Sequence, residues 1–347
     1  MRKSTFVIIG LTLTYAIYVY PVTVLLHLIF NFKIFQKHFL FATIILSLSS
    51  LWCLRTKKYQ PLVKQVVHYT MGVGFIAFFT VNPALAISYF EPDSKFYIGI
   101  IATVLILLAY VLSLKNGRDV KVKKLFFESK KIDRRLNFAF ISDVHLGSNP
   151  RSHLEKICNE VMLLDVDYLL IGGDLFDTSS FQAHDLEPFL KLECPIYFVT
   201  GNHEYYVDGY KEKLEQLQRY NISILDNEVV SFSSINLVGI SDNQSIEKQI
   251  QITNELVTAG MYNLLLVHKP SIWKKVSQNV DLMLSGHTHK GQIFPFNIFV
   301  RLKFKNVYGL FKDGGNQLYV SSGSGTWGPR MRLGTQNEIL KISIQPI

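Results

Sequence analysis

Apolar and polar positions follow two different patterns along this 347-residue chain. Up to residue 114 the apolar positions form long runs with very little charge. Four of them, over residues 6–30, 39–54, 66–90 and 96–114, approach the roughly 20 residues that cross a bilayer. The second is the shortest, and snorkelling side chains at its ends can extend it. Pro21 and Pro83 fall inside apolar runs, where a membrane helix tolerates a kink. From Leu136 onward the apolar segments shorten to strand length and are separated by polar turns and amphipathic stretches. LNFAFISDVHL, DYLLIGGDL, PIYFVTGNH, SILD, INLVGI, NLLLVHK, DLMLSGHTH, LYVSSGSG and EILKISI read as strands, while residues 153–164 and 210–220 have helical spacing. Strands alternating with helices predict an α/β domain with a buried sheet.

Charge adds a topology to this pattern. The net charge of +9 is concentrated in and beside the apolar half. Arg2 and Lys3 precede the first run, and Arg55, Lys57, Lys58 and Lys64 separate the second from the third. Nine more basic residues, from Lys115 to Arg135, follow the fourth. The positive-inside bias then predicts a multi-pass protein of the inner (cytoplasmic) membrane, with both ends of the apolar half in the cytoplasm. Three units follow: transmembrane helices over 1–114, a basic juxtamembrane connector over 115–135, and a soluble domain over 136–347. Basic residues clustered at the membrane, and not along a soluble face, exclude nucleic acid as a partner. Cys53, Cys158 and Cys194 are scattered and odd in number, so they make neither a disulfide framework nor a metal-ligand spacing. A reducing compartment fits them.

Nearly every apolar strand of the soluble half ends in a short polar signature. These are Asp143-Val144-His145, Gly173-Asp174, Gly201-Asn202-His203-Glu204, His268 and Gly286-His287-Thr288-His289. In open α/β folds the strand ends face the binding crevice, so these groups are expected to converge. Asp143 and His145 are two apart and would share one face of a continuing strand, as would His287 and His289. Asp174, Asn202 and His268 add a carboxylate, an amide oxygen and a third imidazole. A mixed nitrogen and oxygen donor set suits Mn, Fe or Zn rather than a thiolate-loving metal.

DVH, GGDLFD, GNHE, a lone His after an apolar strand and GHTH occur here in the order found in calcineurin-like metallophosphoesterases. The chain resembles that family over residues 136–347. GHTHKGQ and SSGSGTWGPRMRLG resemble its membrane-tethered bacterial branch of YaeI- and YkuE-type phosphoesterases, apart from Lys290, where glycine is expected. The resemblance implies a four-layer αββα domain, two packed sheets flanked by helices, behind about four transmembrane helices. It implies that Asp143, His145 and His289 hold one divalent metal, that Asn202, His268 and His287 hold a second, and that Asp174 bridges both. Metals about 3.5–4 Å apart can then clamp phosphate oxygens together, with Mn the foremost candidate. His203 would protonate the leaving oxygen, and Asp177 would orient His203.

The expected partner is a phosphate ester, with a lipid-linked pyrophosphate or phosphodiester as one substrate class. Residues 292–311 mix Phe and Ile with Arg301, Lys303 and Lys305, a composition that suits either docking on membrane lipids or an ordinary packed hairpin. Arg330 and Arg332 read equally as phosphate ligands or as a solvated face. Two rival functions stay open: a phosphodiesterase for soluble nucleotides with the membrane as anchor, and a non-catalytic sensor or scaffold.

Overall fold

The computed structural model describes residues 3–34, 37–55, 61–179 and 181–347. Arg2, Lys57 and Lys58, on which part of the predicted orientation rests, lie outside the described residues. The chain divides into two compact units, Met1–Lys115 and Asn116–Ile347.

In the first unit α1 (Lys3–Thr14) runs through a π-helical turn at Tyr15–Val19 into α2 (Tyr20–Phe30). Pro21 follows that turn directly, where its missing N–H interrupts the regular ladder. Then come α3 (Lys37–Arg55), α4 (Pro61–Phe90) and α5 (Lys95–Arg118). Val24, Leu28, Ala77, Val81, Ala102 and Ile106 make a small interior. Other apolar side chains, such as Leu107, Leu108 and Val111, point outward. A helix apolar all round needs lipid or protein around it. Among the described residues three stretches, Val7–Phe30, Gln65–Phe90 and Pro92–Arg118, are long and apolar enough to cross a membrane. The expected second run, residues 39–54, forms the 19-residue helix α3, and the side chains of its last residues lie outside the described ones.

The second unit contains two six-stranded sheets flanked by helices. The first sheet has the order β1-β12-β2-β3-β4-β5, and its strands are β1 (Val120–Glu128), β2 (Leu136–Ile141), β3 (Tyr168–Ile171), β4 (Ile196–Phe198), β5 (Ile222–Ile224) and β12 (Asn337–Gln345). The second has the order β10-β11-β9-β8-β7-β6, built from β6 (Glu228–Phe232), β7 (Ile235–Ile240), β8 (Tyr262–Val267), β9 (Leu282–Ser285), β10 (Gly309–Asp313) and β11 (Asn316–Val320). Alternation along β2 sorts its side chains between two cores. Phe138 and Phe140 meet Leu237, Leu264, Leu266 and Tyr319 of the second sheet. Ala139 and Ile141 turn the other way, toward Leu154 and Ile157 of α6 (Arg151–Met162). On the far face of the second sheet, Val238, Leu265 and Met283 pack with Trp273 and Val276 of α9 (Trp273–Val276) and with Ile250 of α8 (Ile246–Leu256). The layers are therefore α/β/β/α. Two further helices, α7 (Tyr210–Gln216) and α10 (Phe296–Lys303), complete the unit.

Two expectations change here. The basic connector over 115–135 contains a full strand: β1 pairs parallel with β12 from Val120↔Asn337 to Glu128↔Gln345. Val120 and Val122 pack on the core, while Lys121 and Glu128 are exposed along the sheet edge. Charged side chains on an edge strand discourage pairing with other chains. The hairpin expected within 292–311 is instead the helix α10 followed by β10.

His153 of α6 fastens this unit to the loop after β11. Its Nε2 lies 2.8 Å from the carbonyl oxygen of Ser324, and its Nδ1 is buried without a partner. Protonation would leave that second N–H unsatisfied, and burial presses the imidazole pKa down to about 4. The unfolded chain binds this proton below its ordinary pKa of about 6.5, whereas the folded chain does so only near 4. Stability is thus fully present above about pH 6.5 and falls by up to about 3 kcal/mol as pH drops through that window. Chemical unfolding of the full-length protein between pH 7.5 and 4.5 is expected to show this loss. A His153→Gln variant is expected to flatten the acid limb.

Candidate metal centre

The strands deliver the candidate ligands, but not through the pleat. β2 ends at Ile141 and β9 at Ser285, so Asp143, His145, His287 and His289 all lie beyond the regular strands. Their φ angles are 53°, 52°, 72° and 48°, and that of Asp174 is 53°. Each is in the left-handed region, which costs a non-glycine residue about 1–2 kcal/mol. Strained backbone concentrated at one place marks a functional site. The expectation that each pair shares a strand face is therefore corrected: left-handed turns make them converge. Glycine is required where these loops touch. A Cβ on Gly286 would collide with the Ser142 hydroxyl and the Asp143 carboxylate, and one on Gly201 with Asp174.

Two clusters result. In the first, His145 Nε2 and His289 Nε2 face each other at 3.0 Å, and His289 Nε2 lies 3.4 Å from Asp143 Oδ1. In the second, His268 Nε2 lies 3.1 Å from Asp174 Oδ2 and 3.2 Å from His287 Nδ1. Asp174 Oδ2 is also 3.9 Å from His145 Nε2, so this carboxylate stands between the clusters. Asp143, His145 and His268 are fully buried, and Asp174 nearly so. His268 Nδ1 lies 2.9 Å from the Gly172 carbonyl oxygen, which as acceptor fixes the tautomer and leaves Nε2 for the site.

Two features suit the donor set to a cation. Asn202 Oδ1 is buried with no hydrogen-bond partner, which is costly unless something positive meets it. The paired Nε2 atoms of His145 and His289 likewise present lone pairs to a common point. Electrostatics agree. Burial presses His268 down, yet the carboxylates of Asp174 and Asp143 hold it up to about 10. Burial alone would raise Asp174, but His268 and His145 hold it well below the usual carboxylate range. Burial, with His145 and Arg332 nearby, keeps His289 neutral, the form in which imidazole binds metal. The residues fit two divalent cations.

The surrounding shell differs from the expectations at several points. Asp177 accepts from Ser148 N at 3.0 Å and Ser148 Oγ at 2.6 Å, and its Oδ2 lies 3.3 Å from His145 Nδ1. It orients a candidate ligand, His145, rather than His203. His203 is partly exposed (18%); its backbone N–H donates to Asp174 Oδ1 at 2.9 Å, and its ring stands edge-on to His145 at 4.8 Å. Arg332 is not on a solvated face. It is fully buried and donates to the carbonyls of Gly325 (2.7 Å) and His289 (3.2 Å), bracing the GHTH loop from behind. Arg330 is half-buried. Lys290 takes a left-handed φ of 53°, the conformation that favours glycine there, and its ammonium lies 4.2 Å from the Tyr308 ring centroid.

Glu204 is the residue whose role the sequence reading left unassigned, although it stands inside the quoted GNHE motif. It is fully buried and accepts four backbone N–H groups: Asp174 at 3.1 Å, Leu175 at 2.6 Å, Phe176 at 3.2 Å and Gly201 at 2.7 Å. One carboxylate thereby joins the loop bearing Asp174 to the loop bearing Asn202 and His203.

Comparisons with known proteins give the family. A family profile described as calcineurin-like phosphoesterase matches residues 136–291. An uncharacterized metallophosphoesterase of Helicobacter pylori is 37% identical over 242 residues, covering 65% of this chain and 64% of its own length. The chain thus spans less than two thirds of that relative. A metallophosphoesterase of Aquifex aeolicus is 31% identical over 241 residues, 65% of this chain and 92% of its own. A cow protein, "Transmembrane protein with metallophosphoesterase domain", is 32% identical over 239 residues, 60% of this chain and 53% of its own.

Glu204→Gln would turn an NH2 group toward backbone donors and leave buried N–H groups unsatisfied. Unfolding measurements are expected to show a loss of about 2–3 kcal/mol. Elemental analysis of the purified protein is expected to give two divalent metals per chain, and Asn202→Ala is expected to reduce this to one.

Proposed function

The chain belongs to the calcineurin-like metallophosphoesterases, and on that premise we propose that it is a membrane-anchored, dinuclear-metal hydrolase of phosphodiester or pyrophosphate bonds, acting on a lipid-linked substrate at the inner leaflet. The observation that carries this reading is a set of three adjoining groups, Asp143-His145-His289, His145-Asp174-His203 and Asp174-His268-His287, two of which share Asp174. Asp143, His145 and His289 would hold one cation, Asn202, His268 and His287 the other, with Asp174 shared; Mn is our assignment for a nitrogen and oxygen donor set of this kind. Bound there, the cations supply Lewis-acid polarisation of the phosphoryl group and lower the pKa of a water beside it.

The chain's own residues do the rest. Asp177 and the Gly172 carbonyl fix the rings of His145 and His268, so the ligands need no rearrangement. His203, which this reading does not count among the ligands, is partly exposed at the centre. Burial depresses its pKa, and an anionic phosphoester beside it restores the protonated form. From there Nε2–H gives its proton to the departing oxygen. The positive-inside pattern supports a cytoplasmic catalytic domain, and the apolar helices supply the anchor.

A second reading, hydrolysis of soluble nucleotides, draws on Tyr206 and Trp327. These exposed rings lie 5.5 and 6.0 Å from the His203 ring and offer faces on which a base could stack. The scaffold reading calls for missing ligands, and all seven are present.

Purified full-length protein in detergent with Mn is expected to hydrolyse phosphodiesters, and Asp174→Asn to abolish this. Metal-loaded protein inactive on both simple diesters and lipid pyrophosphates would count against the proposal. His203→Gln is expected to lower kcat by about 10²–10⁴ for alkoxide leaving groups while keeping its metals. The loss should be much smaller for p-nitrophenolate, which leaves without a proton. Equal losses for both would remove His203 from the role of proton donor.

A further inference from the structure

The helix α10 presents its apolar residues the wrong way round for a soluble protein. At about 100° per residue, Ile298, Leu302 and Phe299 share an arc of about 100°. All three are exposed, Leu302 by 82%. On the opposite side Asn297 seats against Gly291, where a Cβ would collide with its backbone, and Val300 and Phe304 are half-buried, while Phe296 there is exposed. Phe294 and Trp327 extend the exposed apolar surface. Gln292 holds Trp327 there, accepting from its N–H at 2.9 Å and donating to its carbonyl at 2.9 Å. An outward apolar patch of this kind on an otherwise polar surface marks an interaction site.

Charge selects the occupant. Arg301 and Lys303 flank the apolar arc, one at each edge, and both are exposed, as is Lys305. Between Asp281 and Asp313 the sequence contains no Asp or Glu. Apolar residues bordered by cations match the interface of a bilayer with anionic headgroups. The same chain carries helices apolar enough to cross a membrane. The helix also adjoins the centre: Phe304, the residue that ends it, has its ring 5.3 Å from that of His287.

From these observations we infer that α10, with Phe294 and Trp327, docks into the headgroup region of an anionic bilayer and sets the mouth of the metal centre against the lipid surface. Ile298, Phe299 and Leu302 enter the acyl boundary. Arg301, Lys303 and Lys305 meet phosphate headgroups.

An environment-sensitive fluorescent amino acid placed at Leu302 tests this in the full-length protein reconstituted in nanodiscs. The same probe at Leu163, an exposed apolar residue after α6, serves as reference. In discs containing phosphatidylglycerol the probe at 302 is expected to shift to the blue and to be quenched by acyl-chain spin labels, while the probe at 163 stays water-like. Combined Arg301→Glu, Lys303→Glu and Lys305→Glu is expected to reduce the quenching several-fold. Asp174→Asn is expected to leave it unchanged, so docking and catalysis fail separately. A probe at 302 that stays water-like in every disc overturns the inference. So does a blue shift in detergent that tracks protein concentration, which assigns the face to a second copy of the chain.

Discussion

The buried carboxylate of Glu204 is the constraint on which the centre depends. Burying an anion is costly unless hydrogen bonds replace its water, and four backbone N–H groups do so here. Those donors belong to two loops that follow neighbouring parallel strands, β3 and β4. Because they share one acceptor, Asp174 and the Asn202-His203 pair cannot move independently. Arg332 performs the complementary task on the other side, its donors spread over the carbonyls behind His289. A buried anion gathers N–H groups and a buried cation gathers carbonyls, and the ligands lie between them.

This bracing also accounts for the strained backbone. Five candidate ligands sit in left-handed conformations that their side chains disfavour. At about 1–2 kcal/mol each, the total is comparable with the net stability of a domain, so the surrounding hydrogen bonds and sheet packing have to hold it. The gain is convergence: a left-handed residue turns the chain sharply just past a strand end and brings Asp143 to Gly286, or Gly201 to Asp174, within contact.

Much of this was legible in the sequence because the chemistry is local. The apolar strands and their polar ends can be read residue by residue, and DVH, GGD, GNH, the lone His and GHTH lie within a few residues of strand termini. What the pattern could not supply was backbone conformation and long-range pairing. Two residues of spacing suggest a shared strand face, yet Asp143 and His145 meet through turns. Asp177 stands three residues after Asp174, but only the fold shows that it faces His145. Glu204 is one of many acids until its four donors are seen. The lysines of β1 read as a topology signal because their strand partner, β12, is some 200 residues away in sequence. Lys290 stands where glycine relieves strain, and Tyr308 receives its ammonium. The long apolar runs of the first half were legible, and three of them are helices long and apolar enough to cross a membrane among the described residues.

The central claim is that one carboxylate lies between two cations. Electron paramagnetic resonance of the full-length protein loaded with Mn tests it most directly. An exchange-coupled Mn pair is expected at two equivalents per chain, collapsing to isolated Mn when Asp174 is replaced by Asn. Isolated Mn signals at every loading of the unaltered protein, or saturation at a single equivalent, would contradict it.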